Sequence, residues 1–211
     1  MPPVIRAALF DLGGVILSSP FEAFAAYERE HGLPEGFLRQ VNATDPDTNA
    51  WARLERGDVG FDQFGELFSL EAQALGHAVD GHEVLGLLSG DIRPAMVEAV
   101  RRCGERLITG LLTNNFIAAD GQGMQATQVS HVLSLFDAVI ESSRVGVRKP
   151  DPLFYEIACD SLDIVPSEAV FLDDLGVNLK PARAMGMVTI KVTDPAAALA
   201  ELEQVVGFPL S

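Results

Sequence analysis

Lysine, cysteine, basic charge and long apolar runs are what this 211-residue chain has little of. Thirty acidic residues face 15 basic ones, a formal net charge of -15. A chain so acidic offers no basic face, which argues against nucleic acid or an anionic membrane as partner. It does not argue against a phosphate-bearing ligand, because a bound Mg²⁺ and one lysine reverse the sign locally. The two cysteines, Cys103 and Cys159, both fall in helical patterns and are expected to be reduced thiols in or near a core. No stretch is apolar for long enough to span a bilayer. The short apolar run at the start ends at Asp11 instead of continuing as a secretory leader. These absences together predict a soluble, cytoplasmic protein.

What is present is a chain 48% apolar with no internal repeat or low-complexity linker. Its length suits one sizeable core plus an insertion. Five short apolar runs read as buried parallel strands: Val4–Phe10, Leu107–Leu112, Ala138–Ile140, Ala169–Leu172 and Val188–Val192. Helical patterns lie between them. Arg93–Cys103 has Pro94 at a first helical position and Gly104 as a stop. Asp151–Leu162 carries Leu153, Ile157 and Ala158 at helical spacing, and Asp194-Pro195 opens a last helix with Leu199, Leu202 and Val206 on one face. Alternation of this kind predicts βαβ units and a mainly parallel sheet.

The alternation breaks between residues 18 and 89. Phe21–His31, Gly36–Val41, Trp51–Arg56, Phe61–Ala78 and Val84–Leu88 read as helices without a strand, Asp62 being a candidate cap for the fourth. An all-helical insertion after the first strand is expected to cover the strands' C-terminal edge. The expected architecture is α/β: a Rossmann-like parallel-sheet core from 1–17 and 90–211, and a helical cap from 18–89. Trp51 and the Phe61–Phe68 stretch read as the cap's own core rather than as a substrate box.

Two of the strand-like runs end in carboxylates followed by a glycine turn: Leu9-Phe10-Asp11-Leu12-Gly13-Gly14 and Phe171-Leu172-Asp173-Asp174-Leu175-Gly176. In open α/β sheets ligands bind at that edge. Carboxylates meeting there suit a hard cation, since Mg²⁺ takes one or two carboxylates together with phosphate oxygens and water. A third signal is Lys149, the only lysine in the first 179 residues. A fixed positive charge is what several carboxylates gathered around a phosphate require. The bland alternatives are a turn cap at Asp11, a loop start at Asp173-Asp174, a Thr-Asn-Asn turn at Thr113 and a surface lysine at 149. The four histidines, His31, His77, His82 and His131, form no metal-binding pattern.

Taken in order, Asp11 in Phe-Asp-Leu-Gly-Gly-Val, Thr113 in Leu-Leu-Thr-Asn-Asn, Lys149 in Gly-Val-Arg-Lys-Pro-Asp-Pro, and Asp173-Asp174 with Asn178 resemble the four motifs of the haloacid dehalogenase superfamily. Its members are mostly Mg²⁺-dependent phosphatases. Phe171–Arg183 and Gly186–Val192 resemble the N-terminal phosphatase domain of soluble epoxide hydrolases. Leu112–Phe116 and Asp194–Phe208 are similar to the phosphatase-like N-terminal domain of certain acyl-CoA dehydrogenases, a domain expected here to stand alone. The resemblance implies Asp11 as nucleophile, forming an aspartyl-phosphate that divides hydrolysis into two easier displacements. It implies Mg²⁺ held by Asp11, Asp174 and the Gly13 carbonyl. Asp173 is placed beside them, holding a metal-bound water or pairing with Lys149; which of the two adjacent acids coordinates directly stays open. Thr113, Asn114, Gly14 and Lys149 are the implied phosphate-binding groups, and Asn178 ties its loop to the acid pair.

The resemblance also exposes a departure. Most phosphatases of the superfamily carry a second Asp two residues after the nucleophile, to protonate the leaving alkoxide and activate water. Here that residue is Gly13, and losing a positioned acid/base costs about 10²–10⁴-fold in rate. Three outcomes are open: activity confined to phosphates with good leaving groups, a substitute acid such as His31 or His82, or a phosphate-binding pseudo-phosphatase without useful turnover. Dehalogenase chemistry is disfavoured because it places an aromatic residue at this position. Phosphonate hydrolysis needs a cap lysine, which this sequence lacks. The expected substrate is a small phosphorylated metabolite. A dimer is possible but does not follow from the sequence.

Overall fold

Residues 4–88, 90–114 and 124–210 are described by the computed structural model of this protein. The chain divides into two compact units, Met1–Ser18 with Asp91–Ser211, and Ser19–Gly90.

The first unit is built on a five-stranded parallel sheet. Its strands are β1 (Ala7–Phe10), β2 (Ile108–Thr113), β3 (Ala138–Glu141), β4 (Ala169–Asp173) and β5 (Val188–Lys191), ordered β3-β2-β1-β4-β5. β1 is central and fully buried. Side chains alternate along it: Ala8 and Phe10 join one core cluster, Ala7 and Leu9 the other. A parallel sheet covered on both faces reads as continuous apolar sequence, which is why short runs sufficed to find it. Helices Pro94–Gly104 and Pro195–Val206 contribute to the first cluster; Pro152–Leu162 and Gly176–Ala184 contribute to the second. At two helix starts the chemistry is local. Asp151 accepts the Leu153 N–H at 3.0 Å and Asp194 accepts the Ala197 N–H at 2.8 Å, each followed by Pro at the first helical position.

Several local expectations need correction. β1 begins at Ala7, three residues after the apolar run does, and Val4 is exposed. Gly104 is the last helical residue rather than the stop, with a right-handed backbone continuing at Glu105. Leu153 is exposed, and the buried face of its helix is carried by Phe154, Tyr155, Ala158, Cys159 and Leu162. The helical pattern around Leu153 was phased one residue early because Phe154 and Tyr155 outweigh it in buried area. Cys103 and Cys159 are both free and buried.

The second unit consists, among the described residues, of helices Phe21–Glu30, Phe37–Ala43, Ala50–Glu55, Phe61–Ala74 and Gly81–Gly86. Phe64 and Phe68 are fully buried, stacked with ring centroids 5.5 Å apart, and Trp51 meets Phe64 edge-on at 4.7 Å. Asp62 is not the cap of Phe61–Ala74; Gly60 holds that position and Asp62 sits in the first turn. That helix stops at Ala74, short of the expected Ala78. The buried carboxylate of Glu28 accepts the N–H groups of Gly36 at 2.8 Å and Leu38 at 2.9 Å, satisfying the open start of Phe37–Ala43.

Candidate active site

Strand register decides which residues meet. Phe10 of β1 lies opposite Leu111 of β2 and Leu172 of β4, so Asp11 comes level with Leu112 on one side and Asp173 on the other. The Asp11 N–H continues the ladder by donating to the Leu172 carbonyl at 2.9 Å. Thr113 closes β2 one step further along and is fully buried. The strand order reverses direction between β1 and β4, the place where open α/β sheets leave a crevice.

The chain turns sharply after Asp11. Its Oδ1 accepts the Leu12 N–H at 2.7 Å, and Leu17 N–H reaches back to the Leu12 carbonyl at 2.8 Å. Gly14 has φ 75°, and a Cβ there would run into the Asp174 carboxylate. Glycine is thus required at 14 both by conformation and by space. Gly13 is different: its φ of -71° and ψ of 133° are open to any residue. The missing side chain at 13 is not a demand of the backbone.

Lys149 is 1% exposed and sits among these groups with all three ammonium protons engaged. Its Nζ lies 3.0 Å from Asp11 Oδ1, 2.7 Å from Asp173 Oδ2 and 2.8 Å from the Leu112 carbonyl oxygen, to which it donates. Asn114 brackets the same residue from behind, donating from Nδ2 to the Lys149 carbonyl and accepting the Lys149 N–H, both at 2.9 Å. Asp173 is fully buried and heavily committed. Besides Lys149, it accepts the Leu175 N–H at 2.8 Å and Asn178 Nδ2 at 3.1 Å on each oxygen. Asp174, the next residue, is only partly buried and lies against Gly14. Asn115 and Phe116, which close the Leu112–Phe116 run, lie outside the described residues.

Burial sets the electrostatics. Desolvation pushes the Asp11 carboxyl well above the usual range; Lys149 opposes this, while Asp173 and Asp174 add to it. Burial and the neighbouring Asp173 push Asp174 up to about 6. Desolvation alone would lower Lys149, but Asp11 and Asp173 more than offset it and its pKa is raised. Three carboxylates therefore face one buried ammonium. Asp11, Asp173 and Asp174 each offer an oxygen within 4.8 Å of the others, an all-oxygen set suited to a hard dication. The residues fit Mg²⁺, whose charge would offset the burial and mutual repulsion that raise Asp11 and Asp174.

Two contributors carry no sequence motif. Tyr155 is fully buried and donates its hydroxyl to the Asn178 carbonyl at 2.6 Å, bracing the loop that holds Asp173. Arg93 donates from Nη1 to the carbonyls of Gly14 and Val15, and its charge favours ionised Asp174. Tyr155 reads in the sequence as one more residue of a helix, and Arg93 as the residue before a helix-starting proline. Only the folded partners reveal either. In the helical unit, His31 stacks on Tyr27 with centroids 3.9 Å apart, and His82 packs against Gly65 beside Asp80.

With this geometry in view, the comparison with known families is decisive. The family model described as haloacid dehalogenase-like hydrolase matches residues 5–186. The chain belongs to the haloacid dehalogenase-like hydrolases. Over 97% of its length it is 35% identical to mouse (Mus musculus) acyl-CoA dehydrogenase family member 10, of which it spans 19%. It is 34% identical over 98% of its length to bifunctional epoxide hydrolase 2 of Sus scrofa, of which it spans 40%. It therefore covers less than half of either relative. It is also 29% identical, over 98% of its length and the whole of the relative, to the sesquiterpene phosphatase astK of Aspergillus oryzae. Among solved structures, a haloacid dehalogenase family enzyme from Bacteroides thetaiotaomicron, in complex with magnesium and inorganic phosphate, shares the fold. The TM-score is 0.58 at 18% identity, over 89% of this chain and 93% of that one. Phosphatases thus stand among the relatives of this hydrolase.

Proposed function

We propose that this protein is a Mg²⁺-dependent phosphatase of small phosphomonoesters that works through an aspartyl-phosphate on Asp11. The observation carrying this reading is the buried Lys149 clamped between Asp11 and Asp173, with Asp174 beside them. The named phosphatase among the relatives and the magnesium and phosphate bound by the related B. thetaiotaomicron enzyme support it.

Asp11, Asp174 and the Gly13 carbonyl are the groups assigned to Mg²⁺, which supplies charge stabilisation for the phosphoryl oxygens. Asp173 is assigned a different duty. Its oxygens are already taken by Lys149, Asn178 and Leu175, so it fixes the lysine and the loop. Asp11 attacks phosphorus through a carboxylate oxygen, the ester P–O bond breaks, and the alkoxide leaves. Water then attacks the same phosphorus, releasing inorganic phosphate and restoring the Asp11 carboxylate. Lys149 favours the ionised form of Asp11 against the burial that raises its pKa. Thr113 and the backbone at Gly14 are assigned to the phosphate, and Asn114, engaged at both ends by Lys149, to holding the lysine peptide. The helical unit of residues 19–90 is assigned the choice of substrate, as a cap.

Gly13 offers no proton to the leaving group, which favours acyl and anomeric phosphates over alkyl esters. The same observation favours a second reading, a phosphate-binding protein without turnover. A panel of acetyl phosphate, sugar 1-phosphates and sugar 6-phosphates with Mg²⁺, run beside Asp11→Asn, tests both. Turnover that Asp11→Asn reduces by roughly 10⁴-fold or more supports the phosphoenzyme. Turnover untouched by that change rules Asp11 out as nucleophile. Binding of Mg²⁺ and phosphate with no turnover of any ester establishes the second reading.

A further inference from the structure

Gly13 and Gly14 form the most permissive dipeptide a chain can contain, yet the reading above gives the Gly13 carbonyl a place on the metal. A ligand on such a turn loses affinity to its own freedom unless something outside the turn fixes it. On one side the Leu12 N–H is held by Asp11 Oδ1 at 2.7 Å. On the other side the Gly14 and Val15 carbonyls receive Nη1 of Arg93, which lies 79 residues away in sequence from Gly14. Gly13 is the residue between those two fixed peptides.

Arg93 is itself anchored. Its N–H donates to the Ile16 carbonyl at 2.9 Å, and the flanking pair Leu17 and Ile92 form an antiparallel bridge. Ser18 N–H donates to the Asp91 carbonyl at 2.8 Å and Asp91 N–H to Ser18 Oγ at 2.9 Å. The segment that leaves the first unit after the glycine turn is thus bound to the segment that re-enters it. The guanidinium fork begins from a backbone that is already registered against the turn. Asp174 closes the arrangement by lying on the bare Cα of Gly14.

We infer that Arg93 is a positioning residue for the proposed Mg²⁺ site, holding the Gly13-Gly14 turn in the one conformation that presents the Gly13 carbonyl beside Asp11 and Asp174. It touches neither metal nor phosphate and acts through the turn. Both bonds come from the one terminal nitrogen Nη1, which the rigid guanidinium plane aims at the two carbonyls, whereas a lysine ammonium sits on a flexible stem. The inference rests on the Mg²⁺ reading, and the test separates the two.

The experiment is a calorimetric titration of Mg²⁺ into the full chain, as wild type, Arg93→Met, Arg93→Lys, Asp174→Asn and Arg183→Met. Amide hydrogen exchange of residues 12–16 is followed without metal. Arg93→Met keeps the aliphatic stem and is expected to weaken Mg²⁺ about tenfold or more, the usual effect of removing a group behind a ligand. It should also speed exchange in the turn. Arg93→Lys is expected to fall between it and wild type, which keeps the test sound if the methionine variant folds poorly. Arg183 bonds Thr189 elsewhere, and its replacement should change neither readout. In turnover assays, raising Mg²⁺ should restore the kcat of Arg93→Met, which a merely unstable variant would not show. Wild-type Mg²⁺ affinity and turn exchange in both Arg93 variants would overturn the inference while leaving the Mg²⁺ site standing. Absence of Mg²⁺ binding by wild type would overturn the site and this inference together.

Discussion

The sheet edge and the helical unit bury side chains for opposite purposes. At the edge, Asp11, Thr113, Lys149, Asp173 and Asn178 are all taken out of water, an arrangement that costs stability unless every charge finds a partner. In the helical unit the buried centre is Phe64 and Phe68, against which the half-buried Trp51 packs, and removing those rings from water is itself stabilising. One region spends stability on placed charge and the other supplies it. The lesson is that equal burial at the two places predicts unlike consequences when a side chain is changed.

The sharpest contrast comes from truncating one residue of each kind. Lys149→Met leaves Asp11 and Asp173 buried without a counter-charge; it should abolish turnover and cost about 3–5 kcal/mol in urea denaturation. Phe64→Ala should cost a similar amount, about 3–5 kcal/mol, through a cavity. Mg²⁺ affinity of the folded fraction should survive in that variant. If Phe64→Ala abolished turnover by the folded fraction as thoroughly as Lys149→Met, the division between the regions would be false.

A gain is expected from the position that the backbone leaves free. Gly13→Asp restores an acid at a φ and ψ that any residue adopts, and should raise turnover of alkyl phosphates by roughly 10²-fold or more while leaving acetyl phosphate little changed. Equal gains on both substrates would show that leaving-group protonation is not what limits this site.

The smallest effect is in pH. Asp174, raised to about 6, holds a proton in the folded state that it releases in the unfolded chain between the ordinary carboxylate range and that value. The metal-free protein should therefore lose stability as pH rises through that window, with the loss complete above it. Mg²⁺ competes with that proton and with the one that burial favours on Asp11, so its affinity should fall as pH drops, by at least about tenfold per unit below about 6. Thermal melts with and without Mg²⁺ should diverge as pH rises and converge toward acid. Curves that stay parallel would remove Asp174 from the metal set.

Much of the fold could be read in advance because parallel strands buried on both faces leave a mark in any sequence. All five apolar runs are strands, with ends that coincide or shift by at most three residues. The Asp-Pro starts at 151 and 194 were legible because capping is local chemistry. The face of Pro152–Leu162 was not, since a helix with apolar residues all round needs its neighbours to say which side is inside. At the site, the carboxylates and Lys149 stood out through their strand-end placement and lysine scarcity. Arg93 and Tyr155 did not, because each acts on a backbone carbonyl that any residue would supply.

The sequence alone determined which groups were available: acids at two strand ends, one lysine among arginines, and a glycine two residues after Asp11. Tertiary structure decided their partners. Asp173 and Asp174 are chemically identical neighbours, and nothing in the sequence distinguishes them. In the fold one is fully buried and committed to Lys149 and Asn178, while the other lies on Gly14 at the edge of solvent. The chain's alternation turns consecutive side chains to different surroundings, and only the fold brings the partners that wait there.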